Sequence, residues 1–226
     1  MSSIAATGRV PRGAPTAKSA RTRAHILDTA RLLFNEQGTA GVSTNSIAAA
    51  AGISPGNLYY HFDGKRAIIR ALQAQIVVRQ QDLLQPDGER SLARLRELLV
   101  RVMGLAWDYR FFERELIALL RADPQLRAVF AAAYARRLAE WLAFAEALVA
   151  RGELRAPRAP RTLSDVGVAI WLIATGWLSF LDITGDPQDP LQVARVGELI
   201  MVALDPYLTA KGRRGFAVGP TAGGVS

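Results

Sequence analysis

The sequence has no cysteine and only two histidines, His25 and His61. Disulfides, thiolate metal sites and cysteine nucleophiles are therefore excluded. A thiol-free chain suits a reducing compartment, so the cytoplasm is the expected location. The two histidines form no HExxH pair, and neither a glycine-rich phosphate loop nor a GxSxG elbow occurs. Catalysis needs roughly 8 kcal/mol or more of transition-state stabilisation, and no constellation here supplies it. An enzyme is not expected, nor is a metal or a cofactor.

Acidic side chains are scarce in one region. Residues 1–80 hold ten Lys/Arg against three Asp/Glu, whereas residues 81–226 hold eighteen against seventeen, so that +7 of the chain's +8 lies in its first third. That asymmetry suits a segment facing a polyanion, nucleic acid foremost. Charge alone leaves open a solvated basic tail with no partner, and a helical protein that uses its basic third on a membrane surface or another partner.

Long hydrophobic runs are few. Residues 1–18 carry Arg9, Arg12 and Lys18 but no apolar stretch of the kind a secretory signal needs, so export is not expected. Val166–Leu181 is uncharged, but it is short for a span of roughly 20 residues, holds Gly167, Thr175, Gly176 and Ser179, and has acidic flanks in Asp165 and Asp182. A helix buried on most sides of a soluble protein is the expectation, with no membrane partner.

Strand-type alternation is absent as well, and the apolar residues recur at helical spacing, which makes the chain all-α with about nine helices. The first runs from about Ala20 to Gln37, with Ile26, Leu27, Ala30, Leu33 and Phe34 on one face and Gly38 as its stop. Ser43 or Thr44 can cap a short second helix that Gly52 ends, and Ser54 followed by Pro55 opens a third that closes near His61 or Phe62. A fourth covers about 65–84. Pro86-Asp87-Gly88 forms the clearest break, and Ser91 can cap a fifth helix to about Tyr109. Helices at about 110–122, 124–151, 164–182 and 190–210 follow, interrupted by Asp123-Pro124, the proline-bearing loop 156–161 and Thr184–Pro187. The expected division is a tail over 1–17, a helix-turn-helix unit over 18–66 with helix 65–84 connecting, a larger unit over 85–211, and a frayed tail over 212–226.

The second and third helices meet at Ala51-Gly52-Ile53-Ser54, the short glycine-containing turn that lets one helix cross another and enter a major groove. Ile47, Ile53 and Leu58 are placed as its internal contacts. Pro55, Gly56, Asn57, Tyr59, Tyr60 and His61 are left outward. A solvated helix usually carries Lys and Glu there, whereas amide, phenol and imidazole donors suit phosphates and base edges. Duller roles exist for each: Tyr59 as a packed ring with its hydroxyl at the edge, His61 as a packing residue, Lys65 as a solvated cation. The last sits at a helix start, where the dipole disfavours it.

The run from Ser43 to Lys65 resembles the signature of TetR-type repressors: Ile47-Ala48, the turn Ala51-Gly52-Ile53-Ser54, the helix Leu58-Tyr59-Tyr60-His61-Phe62, and Lys65 opening the next helix. The resemblance covers about residues 20–75. It implies a ligand-released repressor on a palindromic DNA operator, in which Thr44 and Asn45 face phosphate or base. Pro55, Gly56 and Asn57 then approach base edges, Tyr59, Tyr60, His61 and Lys65 contact the DNA backbone, and Ser54 belongs to the same DNA-binding set. Around Trp107–Leu116 the larger unit is similar to one subgroup's sensor domain, with Glu115 where that subgroup has Asp.

The larger unit is rich in aromatics. Trp107, Phe111, Phe112, Trp141, Phe144, Trp171 and Trp177 are candidates for lining a pocket for a small apolar or aromatic ligand, with plain core packing as the alternative. Two strongly apolar C-terminal helices offer more surface than one small domain covers, so a homodimer is expected. The resemblance implies a four-helix interface from those helices, with Trp171, Leu178, Val196, Leu199 and Ile200 as candidate contacts.

Overall fold

The computed structural model describes residues 16–83, 89–187 and 189–217. Among them are ten α-helices and one 3-10 turn, with no strand: α1 (Ala17–Gly41), α2 (Thr44–Ala50), α3 (Pro55–His61), α4 (Lys65–Leu83), α5 (Leu92–Asp108), α6 (Arg110–Ala122), α7 (Pro124–Ala150), α8 (Leu163–Thr184), α9 (Pro190–Leu204) and α10 (Ala210–Ala217). The all-α expectation holds. The expected break at Pro86–Gly88 and most of both tails lie outside the described residues.

Helix starts follow from their caps. The side chains of Ser43, Ser54, Ser91 and Asp123 accept amide protons at the starts of α2, α3, α5 and α7, satisfying donors that have no intrahelical partner. Thr16 does the same for α1, so this helix begins inside the expected tail. Gly38 has φ +72°, a left-handed conformation that interrupts α1 where the stop was expected, and a further turn carries the helix to Gly41.

Two C-terminal expectations are corrected. The helix expected to reach 210 ends at Leu204, because Pro206 has no amide proton to continue the ladder, and residues Asp205–Tyr207 tighten into a 3-10 turn. Beyond it, α10 occupies residues expected to fray. Gly212 is needed there for close approach, since a Cβ would fall 2.2 Å from the Glu153 carbonyl oxygen.

The interior falls into two main clusters. The first runs from Ile26 and Phe34 of α1 through Ile47, Leu58, Ile68 and Leu72 to Phe111, Phe112 and Leu126. The helix-turn-helix and the first helices of the larger unit therefore share one core across the expected boundary. The second joins Leu92, Leu148, Leu154, Val196, Ile200 and Leu204 from α5, α7, α9 and the loop after α7. Helix α8 is long and apolar enough to cross a membrane, yet most of its residues are not buried in the protomer, contrary to the expected core helix. Ala169, Leu172, Gly176, Phe180 and Ile183 form an exposed stripe along it.

Candidate nucleic-acid interface and ligand cavity

Leu58 and Ile47 are wholly buried and Ile53 packs partly against the same core, so α2 and α3 are locked by the three contacts the spacing requires. The turn between them passes through Gly52 at φ +64°, which a residue with a Cβ reaches only with strain. His25 Nε2 lies 3.2 Å from the Ala51 carbonyl oxygen, tying α1 to the same turn.

With Leu58 turned inward, Ser54, Pro55, Gly56 and Asn57 are exposed along α3, as is Asn45 on α2. Tyr59 and Tyr60 are 49% and 58% exposed, so Tyr59 is not a core ring. Its hydroxyl lies 3.0 Å from Thr44 Oγ1, which fixes the first residue of α2 against α3. His61 is half-buried and meets Tyr60 edge to face at 5.1 Å. Lys65 has a structural role: its ammonium donates to the carbonyls of Thr39 and, at 2.9 Å, Val42, at the end of α1. These carbonyls supply the favourable contact that a cation at a helix start otherwise lacks.

The basic first third is less free than its count suggests. Arg31 donates to the Asp108 carbonyl, and Arg70 grips Asp123 with Nε at 2.6 Å and Nη2 at 2.8 Å. That grip holds the Asp123 carboxyl below the usual carboxylate range. Lys18, Arg21, Arg23 and Arg66 are exposed, and Arg23 also lies over the Phe62 ring, 4.4 Å from its centre. A polar joint between α1 and α6 is not visible in the residue spacing. Asn35 donates to the Asp108 carbonyl and accepts from the Phe111 amide, while Glu115 accepts from the Thr39 amide and hydroxyl. A buried asparagine on the apolar face of α1 was the available signal.

Among the described residues of the larger unit, two concave regions stand out. One, of about 340 Å³, lies between α5, α7 and α8, and Trp141, Phe144 and Trp171 line it together with Met103, Tyr134 and Arg137. The other is a groove of about 870 Å³ between α5 and α9, to which Trp107 contributes. Phe111 and Phe112 line neither. They are 1% and 2% exposed and fill the first core, where Phe34 meets Phe111 at 5.2 Å between ring centres. Trp177 also stays out of both, stacking on Phe180 and donating to the Gln192 carbonyl to join α8 to α9.

The dimer candidates are corrected similarly. Trp171 faces the cavity, and Leu178, Val196 and Ile200 are 4%, 2% and 1% exposed inside the protomer, which removes them from any outer face. Leu199 is half-buried. The large apolar residues that do face outward on α8 and α9 are Leu172, Phe180, Ile183, Leu191 and Val202.

Two charged groups near the cavity are unusual. Glu113 has a carboxyl oxygen, Oε2, sealed from solvent with no hydrogen-bond partner. Burial pushes this carboxyl up to about 7, against the pull of Arg137. Burial in turn lowers Arg137, opposed by Glu113 and Glu140.

Comparison with known proteins adds to this geometry. Residues 26–72 match the model for bacterial regulatory proteins of the tetR family, and residues 78–216 match the TetR bacterial transcriptional repressor model. Over 76 residues the chain is 42% identical to the HTH-type transcriptional regulator UidR of Escherichia coli K12, covering 34% of this chain and 33% of UidR. It is 38% identical over 69 residues to the class D tetracycline repressor protein of Escherichia coli, covering 30% and 32%. The chain thus matches about a third of the length of these curated relatives. A TetR-family transcriptional regulator from Marinobacter aquaeolei VT8 superposes with a TM-score of 0.77 at 32% identity, over 87% of this chain and 96% of that one. With both halves of the chain matched in sequence and the whole architecture in structure, the chain belongs to the TetR family of bacterial transcriptional regulators.

Proposed function

We propose that this protein is a cytoplasmic repressor that binds a palindromic DNA operator as a homodimer and leaves it when a small molecule enters the larger unit. The observation that carries the reading is the outward face of α3: Pro55, Gly56, Asn57, Tyr59 and Tyr60 are exposed on a helix held by a wholly buried Leu58. Such a face offers amide and phenol groups and small residues to a groove, and its rigidity keeps the ordering cost of binding low. Asn57 is the base reader in this proposal. Ser54, Pro55 and Gly56 allow close approach to base edges, and Thr44, Asn45, Tyr59, Tyr60 and His61 hold the backbone. Lys65 positions the end of α1 for the same purpose.

Two-fold symmetry is supported by the stripe Leu172, Phe180 and Ile183 on α8 with Leu191 on α9, an apolar surface of the kind that self-association covers. The 340 Å³ cavity falls within the size range of small-molecule sites and is mostly apolar. A ligand coupling of about 1–3 kcal/mol lowers operator affinity some 5- to 150-fold.

Selection of bound sites from random duplex DNA tests the reading. The expected product is a palindrome whose half-site centres lie about 34–36 Å, or a multiple of that, apart. Asn57→Ala should then relax preference at one position, whereas equal loss on selected and random DNA would remove its reading role. Selection that returns no palindrome, with anionic vesicles competing as well as DNA, would favour a membrane-surface protein instead.

A further inference from the structure

The charged residues around the 340 Å³ cavity are not equivalent. Of the five that line it, four have partners: Glu89 is paired with Arg151 at 2.6 Å, Arg94 with Glu97 at 3.0 Å, Glu140 with Arg136 at 3.6 Å, and Arg90 donates to the Ala143 carbonyl at 3.1 Å. Arg137 is the fifth. Among the described residues its guanidinium makes no direct hydrogen bond or ion pair; Glu113 and Glu140 attract it from farther away, and it lies over the Trp171 ring, 5.3 Å from the ring centre. A half-buried guanidinium carries five donors that ordinarily find acceptors. Here they border an apolar space whose walls are Met103, Tyr134, Trp141, Phe144 and Trp171.

We propose that this cavity takes an organic anion, a carboxylate with an apolar or aromatic body, and that Arg137 is its counter-charge. The proposal rests on the reading of the chain as a ligand-released regulator and names the class of ligand. A carboxylate is the shape match, because its two oxygens accept two parallel guanidinium donors at once. The body of the ligand then lies against Trp141, Phe144 and Trp171. A cation is disfavoured although the walls are aromatic: the Trp171 face is already covered by Arg137, and the lining carboxylates Glu89 and Glu140 are both paired with other arginines. The buried Glu113, whose carboxyl is held near neutral, does not supply Arg137 with an ion pair within bonding distance. The guanidinium is left to the ligand.

Three probes of equal chain length, octanoate, 1-octanol and octyltrimethylammonium, separate the possibilities on the full-length protein. Binding is read by tryptophan fluorescence, since Trp141 and Trp171 line the cavity, and by calorimetry. A charge-assisted hydrogen bond in such a site corresponds to about 10- to 100-fold in affinity. Octanoate should therefore outbind octanol by at least about tenfold in the wild type. Arg137→Met, which keeps the stem and removes the charge, should abolish that advantage while leaving octanol binding in place, and Arg137→Lys should retain part of it.

The proposal is overturned if octanol or octyltrimethylammonium binds as tightly as octanoate, if none of the three binds, or if the advantage survives in Arg137→Met. Should Arg137→Met fail to fold, the wild-type comparison decides alone. Operator release, measured in parallel, separates this proposal from the reading beneath it. Arg137-dependent octanoate binding that leaves the operator bound keeps the anion site and removes the switch. Release by octanol as readily as by octanoate keeps the switch and removes the anion site.

Discussion

Replacing Glu113 by Gln should change how stability depends on pH. The Glu113 carboxyl, ordinarily at 4.5, is raised to about 7 by burial, and its Oε2 has no hydrogen-bond partner. Below 4.5 the carboxyl is protonated in both folded and unfolded chains, and the neutral form suits the site. Between 4.5 and 7 the unfolded chain releases this proton while the folded chain keeps it, so stability falls as pH rises through the window. Above 7 both forms are ionised and the loss is complete. At 1.36 kcal/mol per pH unit the loss reaches at most about 3 kcal/mol. A glutamine does not titrate, so Glu113→Gln should escape it. Its amide brings a cost in unmade hydrogen bonds, but that cost is the same at every pH. Urea unfolding at fixed protein concentration, from pH 4.5 to 8, measures the difference. The gap between variant and wild type should widen in the variant's favour by about 3 kcal/mol across that range. Carboxylates held low, such as Asp123 and Asp165, act on the acid side of both proteins and cancel in the difference. Parallel curves for the two proteins would refute the reasoning.

Asp123→Ala removes both the cap of α7 and the partner of Arg70. The lost cap alone should cost about 1–2 kcal/mol in an unfolding titration, and Arg70→Ala should leave that part intact. A Cβ on Gly167 would fall 2.3 Å from Trp141 Cδ1. Gly167→Ala should therefore displace Trp141, shift its fluorescence and cost about 1–3 kcal/mol. Ile183→Asp, at a position 84% exposed in the protomer, should give a folded monomer on sedimentation, whereas Leu178→Asp, 4% exposed, should fail to fold. Ile183→Asp that still sediments as a dimer would move the interface elsewhere.

Local chemistry was the legible part of this molecule. Ser43, Ser54 and Ser91 announce helix starts because a short polar side chain beside an amide does one thing well, and the turn at Gly52 fixes how α2 meets α3. Layering was not legible. Phe111 and Trp141 both read as aromatics at helical spacing, yet one fills the first core and the other borders a cavity, because spacing does not give what lies opposite a side chain. In α8 and α9 even the face is hidden. Both helices are apolar most of the way round, so Leu178 and Ile183 look alike in sequence although one points inward and the other out. The tail expected over 212–226 instead begins in α10, where Gly212 permits contact with Glu153.

Thr39 is gripped from two sides. Its carbonyl accepts from Lys65, the first residue of α4, while its amide and hydroxyl donate to Glu115 of α6. Gly38 beside it leaves just enough room, since a Cβ there would lie 3.0 Å from Glu115 Oε1. Helices α4 and α6 are thereby joined through a single residue at the end of α1. A relative slide of α6 and α4 is therefore felt at Thr39. It pulls on Thr39, and on the end of α1 with it, or breaks one of its two sets of bonds.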